Sequence, residues 1–531
     1  MKKIIYLLLV MLVLMPIACT DNFEEANINP VEISDKQLEQ DFNHIGSFYP
    51  AMLEWVIGYT WWHQVYQNLS SDAWVRYLAP PTPFQGGTNN TTYKVQWKHF
   101  YWDRVYTQIM APSNEVMKTA EEGGYDVFVE WARLIRLMSI SKLTLQYGPV
   151  IYSDYGSADK TVYYDAEEAL YDEMFKDLDK VHAVFLANQD YKGLARFDDS
   201  FGGDMSKWIK VINSMRLRLA MRISKVKPDL ALAEGNKALS AEGGLILENA
   251  DNYKIGLGIQ KHPLALLSFD WNDTRMSGTM ESILVGYKDD RISKYFNPVE
   301  DLSLVPDHPE YPYKGIRSGA QISSKDQRIP YSTVNDIFKT KTDQEYFVAS
   351  ETQFIMAEAA LRGWNVEKTA QDYYEAGIRL SFERWGANGV DEYILDETSL
   401  PIDYDDVIEE GDINDFTNKI NITIKWDDSV GNEEKLERII TQKWIAGFPN
   451  SWEPWADHSR TGYPKLPYNY KNDSDNETGV VADDDFIKRM KFVPDEYTIN
   501  PEGVADATKK LSNGKDEIGT RLWWHIAGPN F

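Results

Sequence analysis

The chain has 531 residues, of which 43% are hydrophobic and 26% are charged, so it can bury a large core and is not disordered throughout. Its formal net charge of −27 at pH 7 repels phosphate backbones and anionic lipid, which argues against nucleic acid as a partner and against electrostatic membrane binding. Its single cysteine excludes an internal disulfide framework.

The N-terminus has the parts of an export signal. Two lysines precede an apolar run from Ile4 to Met15, which is too short to cross a bilayer, since that needs about 20 residues. Ala18 stands directly before Cys19, and this arrangement resembles the lipobox of bacterial lipoproteins. We therefore predict a signal peptide over residues 1–18, acylation of Cys19 and a lipidated tether over 19–34. The acyl chains would be the only attachment to the membrane.

An acidic stretch, Thr20 to Glu25, follows the cysteine. A stretch of this kind resembles the surface-export signal of Bacteroidota lipoproteins. The same residues would also suit a solvated tether that carries no export signal. The predicted location is the outer membrane, with the protein facing the cell exterior.

From residue 35 to 531 we predict one helical domain. Apolar residues recur at three- to five-residue spacing in several segments, which is typical of helices with one buried face. The predicted helices are 128–146, 166–185, 208–226, 229–240, 351–363, 367–385 and 433–447. Small residues and aromatics where 351–363 and 367–385 would cross resemble a tetratricopeptide unit. The sequence therefore predicts a mainly α fold, a tetratricopeptide-like helical-repeat scaffold.

Long irregular segments separate the predicted helices, and they are rich in Gly, Pro, Asn, Asp and aromatic residues. These loop insertions are 68–96, 245–345, 388–430 and 456–531. Alternation of apolar and polar residues near 281–296 allows a few short strands. Loops of this length in a compact domain are usually functional, so we expect the ligand to bind at the loops.

No catalytic motif is present in the sequence. It lacks a G-x-S-x-G elbow, H-E-x-x-H, a P-loop and G-x-G-x-x-G, and nothing singles out one carboxylate pair as a glycosidase dyad. We predict that the protein is not an enzyme and holds no cofactor besides the N-terminal acyl lipid. The acids 405–406 and 483–485 could bind structural calcium through oxygen, although a solvated acidic loop is the favoured interpretation.

Two of the loop regions combine aromatic rings with amide side chains. A ring can pack against the C–H face of a sugar while an amide hydrogen-bonds its hydroxyls, and the same surface would accept an extended peptide. In contrast, we expect Trp61, Trp62, Trp97 and Trp102 to pack in the core. The predicted ligand-binding residues are Trp74, Tyr77, Phe84 and Asn89 in the first loop and Trp271, Asn272, Tyr311 and Tyr313 in the second.

Four segments resemble one known family, and the strongest are Glu437–Ala446 and Glu453–Pro464. Asn272–Met276 and Gly286–Arg291 add to the match. They resemble the SusD/RagB family of nutrient-binding outer-membrane lipoproteins, in particular its SusD-like second subfamily. The resemblance implies a helical, mostly single-domain protein that acts as the lid of a SusC-like TonB-dependent transporter. Trp444, within the first segment, is expected in the core.

Members of that family bind glycans most often and oligopeptides in some cases. The resemblance therefore implies a cell-surface protein that captures oligosaccharide for a partner transporter, with oligopeptide capture as the alternative. Two other classes stay open at this point, a surface glycoside hydrolase and a repeat adaptor that binds only protein.

Overall fold

The computed structural model describes residues 40–531 except 59, 85–88, 97–98 and 410. The predicted signal peptide, Cys19 and the tether 19–34 lie outside the described residues. The described residues divide into two units, 40–47 and 48–531. In the first unit, the described part is a 3₁₀ helix, Gln40–Phe42, followed by a short α-helix, Asn43–Gly46.

The second unit consists mainly of α-helices. The longer ones are α1 (Tyr49–Ile57), α2 (Ala111–Gly123), α3 (Asp126–Tyr147), α4 (Glu167–Ala187), α5 (Met205–Arg222), α6 (Pro228–Leu239), α7 (Gly278–Gly286), α8 (Ala349–Leu361), α9 (Ala370–Trp385), α10 (Asn432–Gly447), α11 (Trp452–Thr461) and α12 (Pro501–Lys510). Shorter α-helices are Phe100–Arg104, Pro263–Ala265, Ile292–Tyr295, Val390–Ile394 and Glu496–Ile499. Segments with π-helical hydrogen bonding are Gln64–Asp72, Val105–Met110 and Leu266–Asp270. Single 3₁₀ turns are Thr60–Trp62, Asn90–Thr92, Asn249–Asp251, Leu302–Leu304, Asp326–Arg328 and Asp336–Lys339.

Consecutive helices pack as pairs, which confirms the predicted helical-repeat scaffold. Helix α2 packs on α3, α3 on α4, α4 on α5, α5 on α6, and α8 on α9. In the last pair, Gly377 of α9 lies against the ring of Phe354, and a Cβ at that position would stand 2.8 Å from the ring. The small residue is therefore what allows the two helices to approach closely.

Local sequence signals set the ends of these helices. Thr369 and Asp372 form a reciprocal capping box at the start of α9, and Gly386 ends it in the left-handed conformation, which glycine adopts without steric cost. The side chain of Asp204 caps α5 by accepting a hydrogen bond from the Ser206 backbone N–H. Such caps are readable from sequence because they depend on neighbouring residues only.

Strands are few and short in the described residues. β1 (Leu78–Ala79) pairs antiparallel with β3 (Arg275–Met276), and β2 (Tyr253–Gly256) pairs antiparallel with β4 (Asp343–Phe347). Each pair joins segments that lie far apart in the sequence, and the strands lie within or at the end of the insertions 68–96 and 245–345, so they fasten loop segments to one another.

The loop insertions contain more helix than the sequence suggested. The strands allowed near 281–296 are wrong: this region is α7 followed by the short helix Ile292–Tyr295. Residues 278–285 of α7 are all buried, so no one-sided helical pattern was visible. Likewise, the segment 68–96 begins inside the π-helical stretch Gln64–Asp72, and 456–531 contains the end of α11 and all of α12.

The segments that match the family carry buried ion pairs. Arg460 of α11 donates two hydrogen bonds to the Glu358 carboxylate of α8, at 2.6 and 2.7 Å. Arg291 and Asp289 form a fully buried pair at 2.5 Å. Trp444 is 1% exposed, which confirms its predicted place in the core. These motif residues therefore stabilise the fold.

Candidate ligand-binding surface

Trp74 and Tyr77 do not lie on an open loop, which corrects the prediction for both. Trp74 is 1% exposed, and its indole N–H donates to the backbone oxygen of Asn90 at 3.0 Å. Tyr77 is fully buried, and its hydroxyl donates to the backbone oxygen of Trp444. Neither ring offers a face to a ligand here, because each packs against tryptophans from the C-terminal third.

Asn89 and Phe84, the other two residues predicted in the first loop, are in part held by the protein itself. Asn89 accepts hydrogen bonds from the backbone N–H and the hydroxyl of Thr91, at 3.0 and 2.6 Å. It therefore caps the turn Asn90–Thr92 and has less freedom to bind a sugar hydroxyl. Phe84 is half-buried, in the left-handed backbone region with φ of 45°, and borders residues 85–88.

Tyr311 and Tyr313 lie in a different setting from Trp271. Tyr311 lines a pocket of about 290 Å³ together with Glu281 and Lys314, whereas Tyr313 is only 8% exposed. Within this pocket, the Lys314 ammonium donates to Glu281 at 2.9 Å. Trp61 and Lys325, which contact Trp271, do not line this pocket.

A strand pair brings the two predicted loop regions together. In the register of β1 and β3, Ala79 lies opposite Arg275, and the strands are antiparallel. The register therefore places residues 78–79 of the first predicted loop region beside residues 275–276 of the second. Trp271 lies four residues before β3.

A tryptophan pair, with one exposed and one half-buried ring, lies near this strand pair. Trp61 is 61% exposed, and its ring centroid lies 6.0 Å from that of Trp271, with the planes at 58°. The sequence placed Trp61 and Trp62 together in the core, which is wrong for Trp61. Both belong to one 3₁₀ turn, where consecutive side chains point about 120° apart. Because Trp62 packs against Phe100 at 4.8 Å, Trp61 faces outward.

Polar side chains hold the segment around Trp271 in place. Asp273 accepts from the Gln64 amide at 3.0 Å and from the Lys325 ammonium at 2.5 Å. Asn272 has a φ of 54°, a left-handed conformation that asparagine tolerates, and accepts from Arg275 at 3.0 Å. Hence Trp271 is presented on a segment that is anchored on both sides.

Arg275 is the buried anchor of this segment. It is 1% exposed and also donates to the backbone oxygens of Thr274 and Ile329, at 2.8 and 3.0 Å. Burial lowers the pKa of Arg275 to about 10, and Asp273 opposes that shift. The guanidinium therefore stays charged at neutral pH and keeps its hydrogen bonds.

The surface combines ring faces with carboxylate, amide and ammonium groups. Lys261 pairs with Asp270 at 2.6 Å near the rings, and Thr60 donates its hydroxyl to the Lys261 backbone oxygen at 3.0 Å. Both carboxylates beside Trp271 are thus neutralised by lysines. The arrangement can stack a flat apolar face and hydrogen-bond its edge.

The acids that could bind calcium have other partners. Asp406 is buried against Arg328, which donates to it at 2.9 Å, and Asp485 pairs with Lys488. Within the part of the chain that the structure describes, no group of three or more His, Cys, Asp or Glu side chains is arranged to hold a metal ion.

Comparison with known proteins identifies the family of this chain. A family model described as SusD-like, SusD and RagB outer membrane lipoprotein, matches residues 25–525. The chain belongs to this family. The match confirms the resemblance seen in the C-terminal segments and describes the family as outer membrane lipoproteins. A search of curated proteins found no match.

Solved structures of the family share the fold over nearly all of the chain. A chitin-binding SusD homologue from Flavobacterium johnsoniae is 38% identical, with a TM-score of 0.86, and the alignment covers 92% of this chain and 100% of that one. A SusD homologue from Bacteroides uniformis is 33% identical with a TM-score of 0.83, covering 91% and 99%. One from Bacteroides vulgatus is 32% identical with a TM-score of 0.84, covering 92% and 99%.

As for membrane insertion, no helix among the described residues combines the length and the apolar character needed to cross a bilayer.

Proposed function

We propose that this protein captures oligosaccharides at the cell surface and acts as the lid of a SusC-like TonB-dependent outer-membrane transporter. The observation that carries the proposal is the exposed Trp61 beside Trp271 on an anchored segment. A sugar ring packed on these faces would bury apolar area, and its hydroxyls would meet Lys325, Asp273 and Lys261.

Two considerations favour a glycan over a peptide. The relative that is 38% identical is described as chitin-binding, so chito-oligosaccharides are the first ligands to test. Beside the tryptophan pair, β1 and β3 already pair with each other, which leaves less free strand edge for an extended peptide to join. Oligopeptide capture in the same role is the alternative.

Catalysis and a purely protein-binding role are weaker explanations of the same surface. Asp270 and Asp273 each pair with a lysine, whereas a glycosidase needs one carboxyl to carry a proton and another to act as base or nucleophile. A purely protein-binding role is weaker because the relative that is 38% identical is described as chitin-binding. We therefore propose binding without turnover, so that the protein releases no reducing sugar from a glycan it binds.

The tryptophan pair should control affinity without controlling stability. Replacing Trp61 or Trp271 by alanine should weaken the binding of chitohexaose about ten- to a hundred-fold, because each ring loses roughly 1.5–3 kcal/mol of contact with the sugar. Isothermal titration calorimetry gives the affinity, and thermal melting gives the stability.

Phe531→Ala serves as the matched control, because this exposed ring packs over Arg362 and not against the tryptophan pair. It should bind as the wild type does. Unchanged affinity in both tryptophan variants, with a ligand that the wild type binds, would remove this site assignment.

Lipid attachment should depend on one residue. We propose that residues 1–18 are removed, that Cys19 is acylated, and that 19–34 tether the globular part to the outer membrane. The chain has no other cysteine, so Cys19→Ala should abolish acylation and release the protein from membranes lacking the transporter. Radiolabelled palmitate incorporation and membrane fractionation measure this, and a variant that still carries the label would contradict it.

A further inference from the structure

A second groove with an aromatic wall lies on the same unit. Its volume is about 580 Å³, and it is lined by the segment 102–107, the loop 151–162 and residues 496–500. The rings of Tyr106 and Tyr155 stack at 5.6 Å with planes at 24°. Trp102 packs against Tyr106 at 5.1 Å, and Ile499 is 70% exposed. The groove therefore presents apolar surface to the solvent.

The tyrosine rings are fixed by their hydroxyl groups. Tyr155 donates to the Tyr106 backbone oxygen at 3.1 Å. Tyr106 donates to the backbone oxygen of Ile151 at 3.0 Å and accepts from its N–H at 2.9 Å. Because these hydroxyls already have partners, the rings are held in place before any ligand arrives, which lowers the entropy cost of binding.

Two charged side chains of the groove, Asp103 and Lys160, form no salt bridge within the described part of the chain. The Asp103 carboxylate accepts no hydrogen bond there and lies near the charges of His99 and Arg104. This contrasts with the surface around Trp271, where Asp270 and Asp273 are each bound by a lysine. Uncommitted donors and acceptors beside a wall of rings suit the hydroxyl groups and C–H faces of a sugar.

Contacts connect the groove to the tryptophan pair. Arg104 lines the groove, and its guanidinium lies over the Trp62 ring at 5.1 Å and the Trp55 ring at 5.4 Å. Trp62 shares a 3₁₀ turn with Trp61, which packs against Trp271. The tryptophan pair and the groove are therefore neighbours through the turn Thr60–Trp62 and Arg104, although the rings of Trp61 and Trp62 point in different directions.

We infer that the groove is a second glycan subsite, which takes the later sugar units of a chain whose first units pack on Trp61 and Trp271. The protein then selects long linear oligosaccharides over disaccharides. The inference rests on the proposed function, and it adds a site and a length preference to it. A glycan suits the groove better than a peptide because no strand edge lies among its lining residues.

The test compares two ligand lengths, chitobiose and chitohexaose, by isothermal titration calorimetry. The wild type should bind chitohexaose more tightly than chitobiose. Tyr155→Ala should weaken chitohexaose binding about ten-fold and leave chitobiose unchanged, whereas Trp61→Ala should weaken both. Tyr155→Phe keeps the ring but loses the hydrogen bond to Tyr106, so it should bind chitohexaose more tightly than Tyr155→Ala does and chitobiose as the wild type does.

A second variant keeps the test informative if Tyr155→Ala misfolds. Ile499→Ala removes a side chain that is mostly exposed, and it should also weaken only the longer ligand. Phe531→Ala should change neither affinity. The inference is overturned if the wild type shows no length preference, or if Tyr155→Ala and Ile499→Ala affect both lengths equally or neither. Failure of the wild type to bind either length would instead overturn the proposed function and the inference with it.

Discussion

Replacing Arg460 by methionine should lower the free energy of unfolding by about 3–5 kcal/mol, since it leaves a buried carboxylate without its main partner. The guanidinium is 2% exposed and holds Glu358 with two hydrogen bonds, and it reaches Asp457 at 3.0 Å. Only Arg362 would remain on Glu358, at 2.7 Å. Urea unfolding followed by circular dichroism measures the loss.

The free energy of unfolding that Arg460→Met loses should depend on pH in a defined direction. Burial opposes ionisation of Glu358, but Arg460 and Arg362 outweigh burial and lower the pKa of Glu358 to about 2. A depressed folded-state pKa adds stability above the unfolded value of about 4.3, and that stability is lost as the pH falls toward 2. The difference between wild type and Arg460→Met should therefore be largest at neutral pH and shrink in acid.

An exposed ion pair supplies the matched control. Lys425 and Glu397 pair at the surface, with side chains 46% and 66% exposed, so Lys425→Met should cost less than about 1 kcal/mol. Equal losses for Arg460→Met and Lys425→Met, or a deficit that does not change with pH, would show that the buried pair does not stabilise the fold as argued.

Trp74→Ala should destabilise the protein by about 3–5 kcal/mol, because it removes a fully packed indole and leaves a cavity. The ring lies 6.0 Å from that of Trp455 and 6.3 Å from that of Trp452, so it joins the segment before β1 to α11. The hydrogen bond to Asn90 is lost as well.

Trp61→Ala is the matched control for this substitution. Removing this exposed ring should lower the free energy of unfolding by less than about 0.5 kcal/mol. The substitution should nevertheless reduce ligand binding. Both variants are compared by urea unfolding and thermal melting. A Trp74→Ala protein as stable as the wild type, with ligand affinity reduced, would mean that Trp74 contacts the ligand after all.

The helical scaffold could be predicted because helix signals are local. The segment predicted as 367–385 is Ala370–Trp385 in the structure, and its start and end follow from Thr369 and Gly386. Likewise, 433–447 corresponds to Asn432–Gly447. Three- to four-residue periodicity and caps involve neighbours only, so one sequence contains enough information for them.

The surface residues could be predicted only in part, because their exposure depends on distant contacts. Trp74 looks like a loop residue beside Pro80 and Pro81, yet it is buried by α11, which comes much later in the chain. Trp271 was placed in the ligand-binding set from its neighbours alone, and the structure leaves it half-buried beside an exposed indole. Burial of this kind is set by tertiary packing, which local composition does not encode.

Trp61 was the residue that sequence reasoning missed, although a signal for it existed. Two adjacent side chains on a helical turn point about 100° to 120° apart, so both are buried only where the turn is covered on more than one side, as α7 is. On a turn that is covered on one side, one of the two rings faces the solvent. This constraint, applied before any packing is known, marks one ring of the pair as a candidate for ligand contact.

The central claim is that this protein binds oligosaccharides through Trp61 and Trp271. The most direct test applies the wild type and a Trp61→Ala, Trp271→Ala double variant to a glycan array and a peptide array in parallel. We predict that the wild type binds a set of related oligosaccharides and no peptides, and that the double variant loses these glycans while melting at the same temperature. Binding to peptides alone, or glycan binding that persists in the double variant, would contradict the claim.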